Sequence, residues 1–337
     1  MKAVWDWHMP RKTEDEERAL VALAHELGFD TLILRTPSPT IMAAARDLGV
    51  KVAAIVTPNA DSAFAQQHPD ALQQMLPAEE AMAEAARSLA WESYTMRAHR
   101  WFPLVQTWPL LCFEHPAARA ELKDRVQQAL TVADGVAFDG FGFANHYGCF
   151  CAQCQSKRQK MAAQDPARHE AAVMAAMSEA SLVEISRVLY DHAKAIKPDA
   201  LVTNHLWPPF RPNPYYGSRL QLDYCSQTIS WFYKPNWSLA RVEFEAQEMK
   251  RLEEPAHNRF VPFIAMFHEP YLARSGARIA QELAIAQRYG DGHLIFCSLK
   301  SHLRLPRRLC SGQNGAAQQV NLVHGRQANV HPRLEPY

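Results

Sequence analysis

Four cysteines stand where thiolates could share one ion. Cys149, Cys151 and Cys154 form a C-x-C-x-x-C group in YGCFCAQC, and Cys112 lies upstream in PLLCFEHP. Three thiolates at that spacing can take three corners of a tetrahedral site, and a loop-borne Cys112 can take the fourth. The plainer alternative is a set of free, reduced thiols; the spacing favours metal. All-thiolate tetrahedral sites are closed, so a zinc held there is expected to be structural, pinning the loop after the fourth strand to the loop before the fourth helix. The chain has seven cysteines, an odd number, and three fall within six residues of one another. In a reducing compartment that pattern suits metal better than disulfides. Cys225, Cys297 and Cys310 read as two strand cysteines and one tail thiol.

The cysteine group follows GVAFDGFGF, an apolar run that ends in one acid, Asp139. A second acid, Glu269, ends another such run in RFVPFIAMFHEP. Two carboxylates flanking a glycosidic bond can serve as acid/base and nucleophile. The plainer readings are a loop-capping acid for Asp139 and a loop acid before Pro270 for Glu269. Other strand ends supply Trp5, Asp6, His8, Arg35, His146, Asn204, His205, Trp207, Trp231 and His268. Amides, acids and histidines bond hydroxyls, and indole faces stack on the apolar face of a sugar ring. His205 and His268 could also do proton work, but strand-end histidines more often bond a ligand or a neighbour. Residue types alone also allow a metal on Asp139, His205, His268 and Glu269, with no HxH or HExxH spacing behind it. Should Asp139 not be the partner acid, Glu92 and Glu114 in the long upstream loop come next.

The elements that must position these residues alternate. Strand candidates are KAVWDW, FDTLILRTP, VKVAAIVTP, DGVAFDGFGF, ALVTNHLWPP, LDYCSQTIS, RFVPFIAMFHEP and GHLIFCSL. Helical periods fall between them, in TEDEERALVALAHELG, TIMAAARDLG, ARAELKDRVQQALT, the long HEAAVMAAMSEASLVEISRVLYDHAKAIKP, FEAQEMKRLEE and ARIAQELAIAQRYG. Continuous apolar strands, rather than alternating ones, predict a parallel sheet covered on both faces. Eight units in about 300 residues predict an α/β (β/α)8 TIM barrel with a long insertion between strands 3 and 4. An open doubly wound sheet would show a glycine-rich phosphate turn after the first strand; DWHMPRK has no glycine. In the barrel, strands four and seven are expected to face each other, so that Asp139 and Glu269 straddle a ligand. Residues 1–300 read as the catalytic barrel. Residues 301–337 read as a basic, irregular tail with no sustained apolar period, where a closing eighth helix is expected and none is found.

Composition narrows the partners. A net charge of +1 gives no global field for nucleic acid or an anionic membrane. No apolar run approaches the roughly 18 residues of a membrane span. MKAVWDWHMPRK has no signal-peptide h-region, so a cytoplasmic protein is expected. Phosphate substrates would call for a glycine-rich turn or clustered bases. The expected partner is a carbohydrate, and a homo-oligomer is left open.

At GVAFDGFGF…CFCAQCQSKRQ the chain resembles the barrel domains of glycoside hydrolases. Its cysteine arrangement is similar to that of family 42 β-galactosidases, in which a cysteine upstream of the fourth strand and a C-x-C-x-x-C after it hold a structural zinc. That resemblance implies a structural zinc on Cys112, Cys149, Cys151 and Cys154, and a nucleophile role for Glu269. It departs at strand four, where the family has an Asn-Glu pair and this chain has Phe138-Asp139, and the family's trimerisation and C-terminal β domains are not expected within these 337 residues. The implied function is a glycosidase acting on a small saccharide or glycoside. Two other classes stay open: a metal-dependent sugar isomerase or lyase using His205 and His268, and a non-catalytic carbohydrate-binding barrel. The Asp139–Glu269 separation discriminates, at roughly 5–5.5 Å for a retaining hydrolase and roughly 6.5–9.5 Å for an inverting one.

Overall fold

The computed structural model describes residues 1–6, 13–74, 109–141, 149–168, 170–205, 220–230, 237–254, 258–266 and 273–297. Eight parallel strands close into a barrel in chain order: β1 (Lys2–Asp6), β2 (Thr31–Leu34), β3 (Lys51–Val56), β4 (Gly135–Phe138), β5 (Leu201–Asn204), β6 (Tyr224–Thr228), β7 (Arg259–Met266) and β8 (His293–Cys297). The ring is sealed by β1 pairing with β8, Trp5 opposite Phe296. All eight expected strands are present. The order corrects one expectation: β4 and β7 are separated by β5 and β6, and the strand directly opposite β4 is β8.

The described helices are α1 (Glu14–Glu26), α2 (Pro39–Asp47), α3 (Ser62–Gln67), α4 (Pro116–Val132), α5 (Ala152–Gln164), α6 (Glu170–Ile196), α7 (Leu239–Glu253) and α8 (Gly276–Tyr289). Local chemistry starts them. Thr13 and Glu16 form a reciprocal capping box at α1, and Ser38, Asp61, Ser238 and Ser275 cap α2, α3, α7 and α8 through side-chain acceptors. Helix α5 has no counterpart in the sequence reading. Of its residues AQCQSKRQKMAAQ only Cys154 is buried, so it carries no apolar stripe for periodicity to detect. Between β3 and β4 the bridges Asn59–Leu110 and Leu72–Leu111 draw together the two ends of the long connection. Residues 301–337 lie outside the described residues.

Alternation along the strands sorts the core. Inward residues Ala3, Trp5, Ile33, Ala53, Ala137, Leu201, Val261, Phe263, Ala265 and Leu294 fill the barrel. The alanines leave room for the two large rings, Trp5 and Phe263, which meet edge to face at 6.3 Å. Outward residues such as Val4, Leu32, Val136, Val202 and Ile264 meet the helices.

The N-terminal face is held by a repeated device. Backbone N–H groups of Lys2, Val52, Val202 and Phe260, on odd strands, donate to the carboxylates of Asp30 (2.9 Å), Asp134 (3.0 Å), Asp223 (2.8 Å) and Asp291 (3.0 Å). Each acid directly precedes, or lies one glycine before, the next even strand. Each therefore ties two neighbouring strands and satisfies a donor that has no strand partner. Asp223 is thereby placed at the opposite end of the barrel from the strand-six tip, where it also pairs with Lys194 at 2.8 Å.

Gly135 faces inward at the start of β4, and a Cβ there would stand 2.2 Å from the Leu201 carbonyl oxygen. Backbone cannot yield as a flexible side chain can. Gly135→Ala is expected to cost about 3 kcal/mol, measured by denaturant unfolding. An unchanged midpoint would show that β4 and β5 can separate here.

Candidate active site and cysteine cluster

At the C-terminal rim, Asp139 follows β4 with its N–H bonded to Val56 O at 3.0 Å, and His205 follows β5 with its N–H bonded to Phe138 O at 2.9 Å. The strand pairing thus extends one residue past the strands and fixes both Cα positions. Both side chains share the inward parity of Ala137 and Leu201, and both are nearly sealed, at 6% and 2% exposure. His205 Nδ1 lies 3.4 Å from Asp139 Oδ1, and its Nε2 lies 2.8 Å from Thr228 Oγ1 on β6. The imidazole stacks on Phe263 with centroids 3.9 Å apart and planes 13° apart, while Trp5 stands 5.5 Å away.

Burial pushes the His205 imidazole below its ordinary value of 6.5, against the opposing pull of Asp139. His293, at the other face, is lowered to about 4, first by burial and then by Lys2. An unfolded histidine takes up a proton near 6.5, and these folded ones resist it. Above that pH neither contributes a pH-dependent term. As pH falls from 6.5 toward 4, stability is expected to drop, by up to about 1.4 kcal/mol per pH unit for each group. Urea midpoints of wild type, His205→Asn and His293→Asn across that window check this; equal slopes would sink it.

The other expected site residues are distributed differently. Trp5 is fully buried inside the barrel, against His205 and Phe263. Asp6 is buried and continues the outward parity of Val4. Asn204 Oδ1 accepts from Ser226 N–H at 2.9 Å, which joins β5 to β6. Arg35, past β2, is exposed. His8, Glu92, His146, Trp207, Trp231, His268 and Glu269 lie outside the described residues, and with them the separation of the carboxylate pair. Glu114 sits in the helix layer, with Lys157 Nζ at 2.7 Å and with Arg119 and Ser181, and is engaged there rather than at the rim.

Sequence reasoning missed Thr228 and Phe263. Strand parity carried the signal, since Thr228 lies two residues past Ser226 and Phe263 two past Val261. It also missed Arg274, which donates to Ser230 Oγ at 2.8 Å, to Glu282 and to the Ala265 carbonyl, and so joins β6, β7 and α8 just above the barrel. A cavity of about 360 Å³ lies at the N-terminal face, between Lys51, Lys194, Asp223, Tyr224 and Arg259. It belongs to the strand-tying end and is remote from the rim chemistry.

The four cysteines come together. Cys112, Cys149, Cys151 and Cys154 are buried, and their Sγ atoms all lie within 4.8 Å of one another. Cys112 is 3.6 Å from Cys151 and 3.5 Å from Cys154. A tetrahedron with Zn–S bonds of about 2.3 Å has edges of about 3.8 Å, so the donor set fits a thiolate-bound metal. Backbone N–H groups of Gln74 (3.2 Å) and Cys151 (3.4 Å) point at Cys149 Sγ, as bonds to a metal-bound thiolate would. Mutual hydrogen bonding splits the thiols. Bonds from Cys112 hold Cys149 and Cys151 below the ordinary thiol range, while Cys112 and Cys154 are pushed above it by bonds to Cys149 and to Cys112. Four adjacent charges repel unless a cation shares them. Cys151 is the N-cap of α5 and Cys154 lies in its first turn, so the cluster ties α5 to the approach to α4.

No family model matches this sequence, and no curated protein matches it. Solved structures do share its shape. The glycoside hydrolase domain of PgaB (BpsB) from Bordetella bronchiseptica aligns with a TM-score of 0.62 at 11% identity, covering 93% of this chain and 99% of that one. A β-galactosidase from the haloarchaeon Halorubrum lacusprofundi aligns with a TM-score of 0.59 at 14% identity over 88% of this chain, and α-L-fucosidase isoenzyme 2 from Paenibacillus thiaminolyticus with 0.57 at 16% over 92%. The fold these structures share with this chain is the (β/α)8 barrel. This chain spans about half the length of the last two proteins, 52% and 47%. Among its described residues no helix is long and apolar enough to cross a membrane.

Proposed function

We propose that this barrel is a glycoside hydrolase acting on a small saccharide or glycoside through Asp139 and Glu269. The observation that carries the reading is Asp139 itself: an inward-facing, nearly sealed carboxylate at the tip of β4, braced by His205. Active sites of (β/α)8 barrels occupy this face. Glu269, just past β7, acts as nucleophile on the anomeric carbon. Asp139 gives a proton to the leaving oxygen and then takes one from the water that releases the sugar. Trp207 and Trp231 stack on the sugar ring, and His8, His146, His268 and Arg35 bond its hydroxyls, while Asp6 and Asn204, which share the outward parity of Val4 and Val202, support the rim from behind. Trp5 supports the floor beneath His205. Cys112, Cys149, Cys151 and Cys154 hold a zinc that is structural. A reducing, cytoplasmic setting keeps those thiols available to it.

The test is a screen of aryl glycosides, headed by β-galactosides and α-L-fucosides because two of the similar structures carry those activities. Release of the aglycone that disappears in Asp139→Asn supports the reading. No release from any glycoside, by protein with intact metal content, sinks it.

A further inference from the structure

Asp139 is a carboxylate with two chemically equivalent oxygens, and among the described residues the two are not placed alike. One oxygen, Oδ1, faces His205 Nδ1 at 3.4 Å. This is long for a hydrogen bond, and contacts of this kind tighten when a ligand excludes water. The imidazole has little freedom to turn. Its face is stacked on Phe263, its side chain is 2% exposed, and its other nitrogen is 2.8 Å from the Thr228 hydroxyl. With a neutral ring, two assignments of protons satisfy these distances; a doubly protonated ring, donating from both nitrogens, is the third. In one, Nδ1–H donates to Asp139 and the Thr228 hydroxyl donates to Nε2. In the other, a protonated Asp139 donates to Nδ1, and Nε2–H donates to Thr228. The first lets Asp139 be a carboxylate; the second spends its proton on the histidine.

The geometry points to His205 and Thr228 as positioning residues for Asp139: His205 donates Nδ1–H to Oδ1, Thr228 donates its hydroxyl to Nε2, and Oδ2 is left as the oxygen that exchanges a proton with the ligand. Sequence reading places His205 among the sugar-binding residues; here it acts through Asp139 instead. The role rests on the glycosidase reading only for its kinetic consequence. In that step the proton leaves Oδ2 for the glycosidic oxygen as the C–O bond breaks, and the bond's electron pair goes to that oxygen. Glu269 supplies the pair that forms the new C–O bond. Throughout, Oδ1 keeps its bond to His205, so the carboxyl neither rotates nor presents the wrong oxygen. Burial favours the neutral imidazole over the charged one, against the pull of Asp139, and both of the neutral-ring assignments use it.

Two measurements decide it. Nitrogen NMR of protein with 15N-labelled histidine reads the tautomer at neutral pH without any substrate, with His205→Asn identifying the signal. The expected result is protonated Nδ1 and unprotonated Nε2, the opposite of the form free histidine prefers, with the Nε2 signal moving in Thr228→Val. Protonated Nε2, or a doubly protonated ring, overturns the inference. The second measurement is kcat/KM on aryl glycosides of graded leaving-group ability. Removing the donor in His205→Leu is expected to cost about 10²-fold on poor leaving groups and far less on good ones, which need no proton. His205→Asn, whose amide N–H can stand where Nδ1–H stood, is expected to recover part of the loss. A uniform loss across all leaving groups, or none, overturns the positioning role. A wild-type protein inactive on every glycoside instead removes the glycosidase reading, and the tautomer then decides the geometry by itself.

Discussion

Asp139→Asn and Glu269→Gln are each expected to lower turnover on a confirmed glycoside by at least ~10²-fold while leaving the folded state intact. The amides match the acids in size and keep an oxygen acceptor. In Asp139→Asn the new amide oxygen would still accept from His205, so the rim should not rearrange. What is lost is chemistry: an Asn side chain donates no proton to a leaving oxygen, and a Gln side chain forms no glycosyl ester. The two losses should differ in kind. In kcat/KM, which reads only the step that releases the aglycone, Asp139→Asn should be mild on activated aryl glycosides, whereas Glu269→Gln should be severe on all of them. Circular dichroism and thermal midpoints check the fold, and steady-state kinetics check the chemistry. Near-normal turnover in either variant would overturn that residue's assignment. If only Asp139→Asn survived, the partner acid would have to come from the β3–β4 connection. Glu92 is then the candidate, because Glu114 is engaged by Lys157 and Arg119 in the helix layer.

Protein purified without chelator is expected to carry a single zinc per chain, and stripping it should loosen α5 and the approach to α4. Structural zinc sites bind with on the order of 10 kcal/mol, which is comparable with the whole stability of a typical domain. The effect should be concentrated where the structure has least else to hold it. Helix α5 buries only Cys154 of its own residues. Without the metal its remaining ties are few: Lys157 to Glu114, Arg158 to the Cys149 carbonyl, and the half-buried Met161 packed against the cysteines and Met177. The barrel core, sealed by Trp5 and Phe263, does not depend on the cluster. Cys154→Ser should therefore abolish zinc stoichiometry, speed amide exchange across α5 by orders of magnitude, and lower the thermal midpoint less than it lowers local protection. Elemental analysis finding no metal, together with four freely titrating thiols in native protein, would remove the site. Uniform loss of protection over the whole chain would show instead that the cluster underpins the barrel.

Much of this architecture was legible in residue order. Continuous apolar strands and amphipathic helices alternate because a parallel strand must be covered on both faces, and that period is local. The C-x-C-x-x-C group was legible because ligands on one turn and its approach must be close in sequence. Asp139 was legible as a lone acid closing an apolar run. What spacing could not give was anything made by strands meeting sideways. Thr228 reaches His205 only because β5 and β6 are neighbours and share an inward parity, and Phe263 stacks there because β7 is next. Asp223 stands before the sixth strand, and only the neighbouring β5 shows its role: it ties Val202 at the far face, because an acid before a strand lies at the opposite end from an acid after one. Trp5 reads as a stacking platform, but closure of the ring turns its indole into the alanine-lined interior. Helix α5 left no periodic trace because its anchor is a sulfur cluster rather than an apolar stripe. Sequence alone determined which residues could do chemistry; closing the barrel decided which of them touch, since contacts between strands depend on register and parity that no single strand encodes.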